Sequence, residues 1–496
     1  MAQTVIQHVL SRLHDLGVKD VFGVPGDYAF PINDAVCSDP RLRWVGCCNE
    51  LNGAYAADGY ARIRGMAALN TTYGVSELSA INGIAGAYAE HLPIFHLVGM
   101  PASTVQGAHD LVHHTLGNGE FDLFHKMTEP VVCARAIMTP DNCIAETERL
   151  ISAALHHRRP VYMAFPFDYA NLPVVGSAPT AAVVPQTDQA ALETAVAAIA
   201  DALNTAKSAC ILPGILIPRC DLGAEAIAVV EASGLPFAAM FMDKSALDET
   251  HPQYIGMYDG KLMNEQIRAF VEGCDCVLGI GAMLTDFSSG AFTARIDRLK
   301  SINIMHNSVR VGAALYQDVQ MKDVLPALAR KLTKKQVQGP KRHGLGEPVG
   351  QPNDKISVQY LYPRWEQMLK PGDILIAETG TTSMGMGFAQ MPKGAVFHNQ
   401  SLWGSIGWAT PRCVRRRIGR TGAAHHPDHR RGLAPAHRPG SVPVPSLRAE
   451  ADHLLVQQRR LSDRADALQG PGDLLQRSRE MALSQAAGGD GLRRLV

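Results

Sequence analysis

The sequence changes character between Trp408 and Arg412, and this seam limits where the chain can build a core. Up to Pro411 it reads HNQSLWGSIGWATP, a Gly-punctuated segment of ordinary composition. Beyond it, residues 412–496 carry 16 Arg, a single Ile at Ile418, and no Lys, Asn or aromatic residue. Folding must offset conformational entropy with buried apolar area, and this stretch offers too little of it. Residues 412–496 are therefore expected to form a disordered tail, and any folded structure to lie within residues 1–411.

Charge is balanced, with 47 Lys and Arg against 47 Asp and Glu, so no overall field favours nucleic acid or an acidic membrane surface. The N-terminus MAQTVIQHVLSRLHDLGV is not a signal peptide, because its apolar residues are spaced as one helix face. No apolar run reaches the length of a membrane span. Ten scattered Cys without a C-x-x-C pair suit idle thiols in a reducing compartment. A cytoplasmic enzyme with neither nucleic-acid nor membrane partners is the expectation.

Short apolar runs alternate with helical patterns, the rhythm of α/β domains built on parallel sheets. In residues 1–180, DVFGVPGD, AALNTTYG, IFHLVGMP and VYMAFPFD read as strands, and ELSAINGIAGAYAEH as a helix. Residues 190–335 repeat the theme, with a helix in ALETAVAAIADALNTA and strands in ACILPGILI, LPFAAMFMD, CDCVLGIGA and SINIMH. Polar, Gly/Pro-rich residues 336–355 suit a linker. A third unit starts at 356 with GDILIAETGTTS and is cut short at 411. The predicted fold is thus three consecutive parallel-sheet α/β domains, the third truncated.

Four short segments could carry chemistry. Asp27 follows a strand in VPGDYAF, Glu50 opens a helix in NELNGAYAADGYAR, His113 and His114 sit in LVHHTLG, and GSIGW at 404–408 is a tight Gly loop around Ile406. Singly, each has an ordinary explanation. Glu50 is a first-turn acid that a helix dipole favours, Asp27 a turn former, and a histidine pair is commonly structural.

Together and in this order they resemble the thiamine-diphosphate-dependent 2-oxo acid decarboxylases of the pyruvate/indolepyruvate/phenylpyruvate group. The resemblance runs from Gln7 to Pro411 through FGVPGD, NELNGAYAADGYAR, GVSELSAINGIAGAYAEHLP, HHTLG, IAETGTTS and WGSIGW. It implies non-oxidative release of carbon dioxide from a 2-oxo acid, leaving an aldehyde, with thiamine diphosphate and Mg as cofactors. By this resemblance Glu50 is the acid that hydrogen-bonds the cofactor's pyrimidine ring, a role that a desolvated carboxyl of raised pKa would suit. Asp27, His113 and His114 match the groups that handle protons during aldehyde release. Ile406 matches the wedge beneath the bent cofactor, and Gly404 the carbonyl that receives its amine. Thr72, Gly380, Thr381 and Ser405 complete the implied cofactor contacts. The family's site lies between two subunits, so a homodimer or homotetramer is implied.

One family motif is missing: G-[DE]-G-S, followed about 27 residues later by N-N, which holds the metal and through it the diphosphate. Residues 412–496 contain no such pair, and no metal ligand is assigned. Arg, Ala, Pro and Gly dominate GC-rich coding text read out of frame. Reading each codon one base later permits TGEGSH beneath HRRGLA and SNNDG beneath VQQRR, at the spacing the motif requires. The tail is therefore read as frameshifted just after Pro411, and the chain as inactive.

Two other readings exist. An acetohydroxyacid synthase-like carboligase would share the architecture, but the His113–His114 pair argues against it. A degenerate, non-catalytic product is the second. SLWGSIGW and GTTSMG resemble the indolepyruvate/phenylpyruvate branch, which tilts the expected substrate toward larger 2-oxo acids.

Overall fold

A computed structural model describes residues 3–176, 185–351 and 353–411. The expectation for the tail lies outside these residues. The first sheet comprises β1 (Asp20–Gly23), β2 (Arg43–Gly46), β3 (Ala67–Thr71), β4 (Ile94–Met100), β5 (Ala134–Ile137) and β6 (Val161–Pro166). All its pairings are parallel, in the order β2-β1-β3-β4-β6-β5. Strands β1, β3, β4 and β6 are buried along their whole length, which is why they appear in the sequence as continuous apolar runs.

The second sheet comprises β7 (Ala209–Pro213), β8 (Phe237–Ala239), β9 (Tyr254–Met257), β10 (Cys276–Ile280), β11 (Ser301–Ile304), β12 (Ser308–Val311) and β13 (Ala314–Gln317). Its order is β13-β12-β11-β10-β7-β8-β9. It is mixed rather than wholly parallel, because β12 and β13 run antiparallel at one edge. The two-residue turn Gly312–Ala313, with Gly312 at φ 55°, closes that hairpin. Beyond residue 355, the described residues hold one parallel pair, β14 (Ile374–Ile376) with β15 (Val396–His398), and the helix Thr381–Gly387 between them. No described helix is long and apolar enough to cross a membrane.

Helices Glu50–Arg64 and Val75–Ala89 pack on the first sheet and position the site. Their facing residues are small: a Cβ added at Gly83 would stand 2.4 Å from that of Ala54. Close backbone approach brings the two helix N-termini together. Asn49 caps the first helix by accepting from the N–H of Asn52, and Gly65, at φ 86°, ends it.

These helices also hold the residues that follow β15. Buried Arg62 pairs with Asp58 at 2.7 Å and Glu90 at 3.3 Å, donates to the Asn399 carbonyl at 3.0 Å, and stacks over Trp408 at 4.8 Å. Glu90 also accepts from the N–H of Leu402, while its carbonyl takes a hydrogen bond from Arg219. A second buried pair, Lys244–Glu249, reaches Ala389 and Met391, which precede β15.

Candidate active site

In the first sheet the chain leaves β1 toward β2 on one side and leaves β3 toward β4 on the other. Open α/β sheets bind ligands at the strand carboxyl ends where the order reverses in this way. Asp27 follows β1 and Thr72 follows β3, so both stand at that point.

Gly26 lets the two loops close up, since a Cβ there would lie 2.5 Å from Thr72 Cβ. Thr72 Oγ1 donates to Asp27 Oδ1 at 3.4 Å. The other carboxylate oxygen, Oδ2, makes a short hydrogen bond with His113 Nε2, and His114 Nε2 lies 3.6 Å from Oδ1. Tyr28 stacks on the His113 ring at 5.0 Å, and its hydroxyl lies 3.4 Å from Nδ1. Burial pushes the Asp27 carboxyl up, but it is outweighed. The His113 hydrogen bond, the Tyr28 N–H and the charges of both imidazoles hold it below the usual carboxylate range. The cluster faces solvent: the side chains of Asp27, His113 and His114 are 37, 61 and 32% exposed.

His114 adopts the left-handed conformation at φ 61°, with its carbonyl against Gly74. A Cβ at Gly74 would stand 2.0 Å from that oxygen, and Gly74 itself sits at φ 62°. Gly74→Ala is therefore expected to cost about 1–3 kcal/mol through strain and overlap. Thermal unfolding measures this, and an unchanged midpoint would contradict the packing described.

Glu50 lies at the head of its helix, where the dipole favours a carboxylate. Its Oε1 accepts from Ser76 Oγ at 2.9 Å, and Ser76 sits at the head of the facing helix. Glu50 is partly buried within the chain.

The GSIGW loop docks on the same helix. Ser405 Oγ lies 2.5 Å from Tyr55 Oη and 3.4 Å from the Asn82 amide. Gly404 and Gly407 have φ of 68° and 81°, and between them Ile406 projects with 76% exposure. Gly380, at φ 131°, precedes the helix opened by Thr381. Among the described residues no hydrogen bond or ion pair links Gly380, Thr381 or Ile406 to Asp27, Glu50 or the histidines. Tyr28, Ser76 and Glu77 lie within the same short segments as the recognised residues, but nothing in the sequence marks them as part of the site.

The reacting end of thiamine diphosphate fits these residues. Glu50 keeps Oε2 open while Ser76 fixes Oε1, and the Asp27–histidine cluster stands at the same sheet edge. Among the described residues the only group of three or more His, Cys, Asp or Glu that could share a metal ion is Asp27, His113 and His114, where His113 is hydrogen-bonded to Asp27.

Comparison with known proteins places the molecule in a class. Residues 3–123 match the thiamine pyrophosphate enzyme N-terminal TPP binding domain, and residues 196–332 match the central domain of the same enzymes. An alpha-keto-acid decarboxylase of Mycobacterium leprae (strain TN) is 37% identical over 415 residues, covering 82% of this chain and 72% of that protein. That of Mycobacterium ulcerans (strain Agy99) is 36% identical over 432 residues, 86 and 75% of the two chains. The one from Mycobacterium tuberculosis (strain ATCC 25618 / H37Rv) is 36% identical over 439 residues, 86 and 76%. The chain belongs to the thiamine-diphosphate-dependent 2-oxo acid decarboxylases, a family of carbon–carbon lyases.

Proposed function

We propose that the parent activity is Mg- and thiamine-diphosphate-dependent decarboxylation of a larger 2-oxo acid, such as indolepyruvate or phenylpyruvate, to its aldehyde. We propose also that this chain, frameshifted after Pro411, does not carry it out. The observation that carries the first part is the meeting of Asp27, His113, His114 and Thr72 with the Glu50–Ser76 pair at one switch point. The second part rests on the absence of the metal motif from residues 412–496.

When bound, the cofactor supplies a carbon nucleophile and a sink for the electrons that carbon dioxide leaves behind. The chain's own residues hold position and protons. Glu50, whose Oε1 is braced by Ser76, would hold the ring of the cofactor through Oε2. Asp27, held ionised, orients both imidazoles, and Thr72 fixes the carboxylate between them. His113 and His114 exchange the protons needed for aldehyde release. A second copy completes the site and supplies its dryness. Phe30, Val75, Leu111 and Leu116 flank the reacting residues in sequence and are exposed in the single chain, as is Ile406.

The test uses the chain re-encoded in the restored frame. There, Glu50→Gln is expected to lower kcat by about 10²–10⁴-fold. An unchanged kcat removes Glu50 from this role.

A further inference from the structure

The turn Thr72–Glu77 touches three of the proposed reacting residues. Thr72 donates to Asp27, Gly74 lies beneath the His114 carbonyl, and Ser76 donates to Glu50. Glu77 holds this turn from inside the domain. It is 2% exposed; its Oε1 accepts from the Gly74 N–H at 2.8 Å, and its Oε2 accepts from the Tyr162 hydroxyl at 2.8 Å. Tyr162 lies on β6 and is fully buried, so the carboxylate bridges the turn to the sheet interior.

We propose that Glu77 is a positioning residue: by pinning the turn to β6 it sets where Asp27, His114 and Glu50 stand relative to one another. This inference rests on the reading of those three as reacting groups. A capping glutamate ordinarily sits on the surface, where it costs nothing in solvation. This one is buried, and burying a carboxyl is unfavourable unless both oxygens are bonded. Here both are, one to the turn and one to the sheet.

Burial also pushes the Glu77 carboxyl up to about 7, against the two hydrogen bonds that pull it down. The groups that face it are Tyr162 and Tyr73. Behind them stand Arg135, His96 and His125 around Tyr162, and Asp122 near Tyr73. The ionised form accepts both hydrogen bonds. The protonated form turns one oxygen into a donor, so the grip on the turn changes with the proton.

The experiment is imidazole NMR on the purified full chain, carrying ¹³C-labelled histidine, without cofactor. His113→Asn and His114→Asn identify the two lines. In the parent, both lines are expected to show an inflection near pH 7 in addition to their own titration. Glu77→Gln, which keeps an acceptor for Gly74 but cannot ionise, is expected to lose that inflection. Glu77→Leu, which cannot hold the turn, is expected to move both lines at every pH. Lines of Glu77→Gln that superpose on the parent across the range overturn the proposal, whether or not Glu77→Leu folds. A failed Glu50→Gln test would remove the functional reading and leave this readout standing.

Discussion

Replacing Arg62 by alanine is expected to destabilise the folded chain by about 3–5 kcal/mol. Arg62 is buried between Asp58 and Glu90, which are themselves buried. Its removal takes from both buried carboxylates the cation they pair with, leaving only Arg219 nearby, and leaves the Asn399 carbonyl without its donor. Trp408 also loses the guanidinium stacked over its ring. Leaving a buried charge unpaired costs far more than the intact pair contributes, which explains the size of the effect. Arg62→Lys keeps the charge but not the planar fork that reaches three acceptors, so it should restore only part of the loss. The reading is a fall in the urea midpoint. A midpoint equal to the parent's would mean that the network does not join the first sheet to residues 399–408.

The second large effect concerns the cofactor. The chain as it stands is expected to show no Mg-dependent binding of thiamine diphosphate by calorimetry. The chain re-encoded one base later after Pro411 is expected to bind it. The residues proposed for the reacting end of the site, Glu50, Asp27 and the two histidines, lie among the described residues. Among the described residues no second group of three or more His, Cys, Asp or Glu stands together to hold a metal. A divalent cation would offset the charge of the diphosphate, which would otherwise lie unneutralised. Saturable, Mg-dependent binding by the unaltered chain would refute this.

Much of the fold is legible in the sequence for a simple reason. DVFG, AALNT, IFHLVGM and VYMAFP are central strands buried on both faces, so they stand out as apolar runs. RWVG, ARAI and the hairpin SVRV/ALYQ are short, partly exposed strands at or next to a sheet edge, and nothing in four such residues distinguishes them from loop. In the site, Asp27, Glu50 and the histidine pair are visible because they sit in distinctive short motifs. Glu77 and Arg62 are not, because a buried charge and a solvated one are written with the same letter. Arg62 and Asp58 are four residues apart on a helix and read as an ordinary surface pair. Only the three-dimensional packing shows that residues 399–408 cover them.

The central claim is that residues up to Pro411 carry the reacting half of a decarboxylase while the remainder fails to complete it. Carbon dioxide release from pyruvate and phenylpyruvate, with thiamine diphosphate and Mg present, tests it on two polypeptides side by side. The account predicts none from the chain as it stands and sustained release from the chain re-encoded after Pro411, faster with phenylpyruvate. Release from the unaltered chain, or none from the re-encoded one, would contradict it.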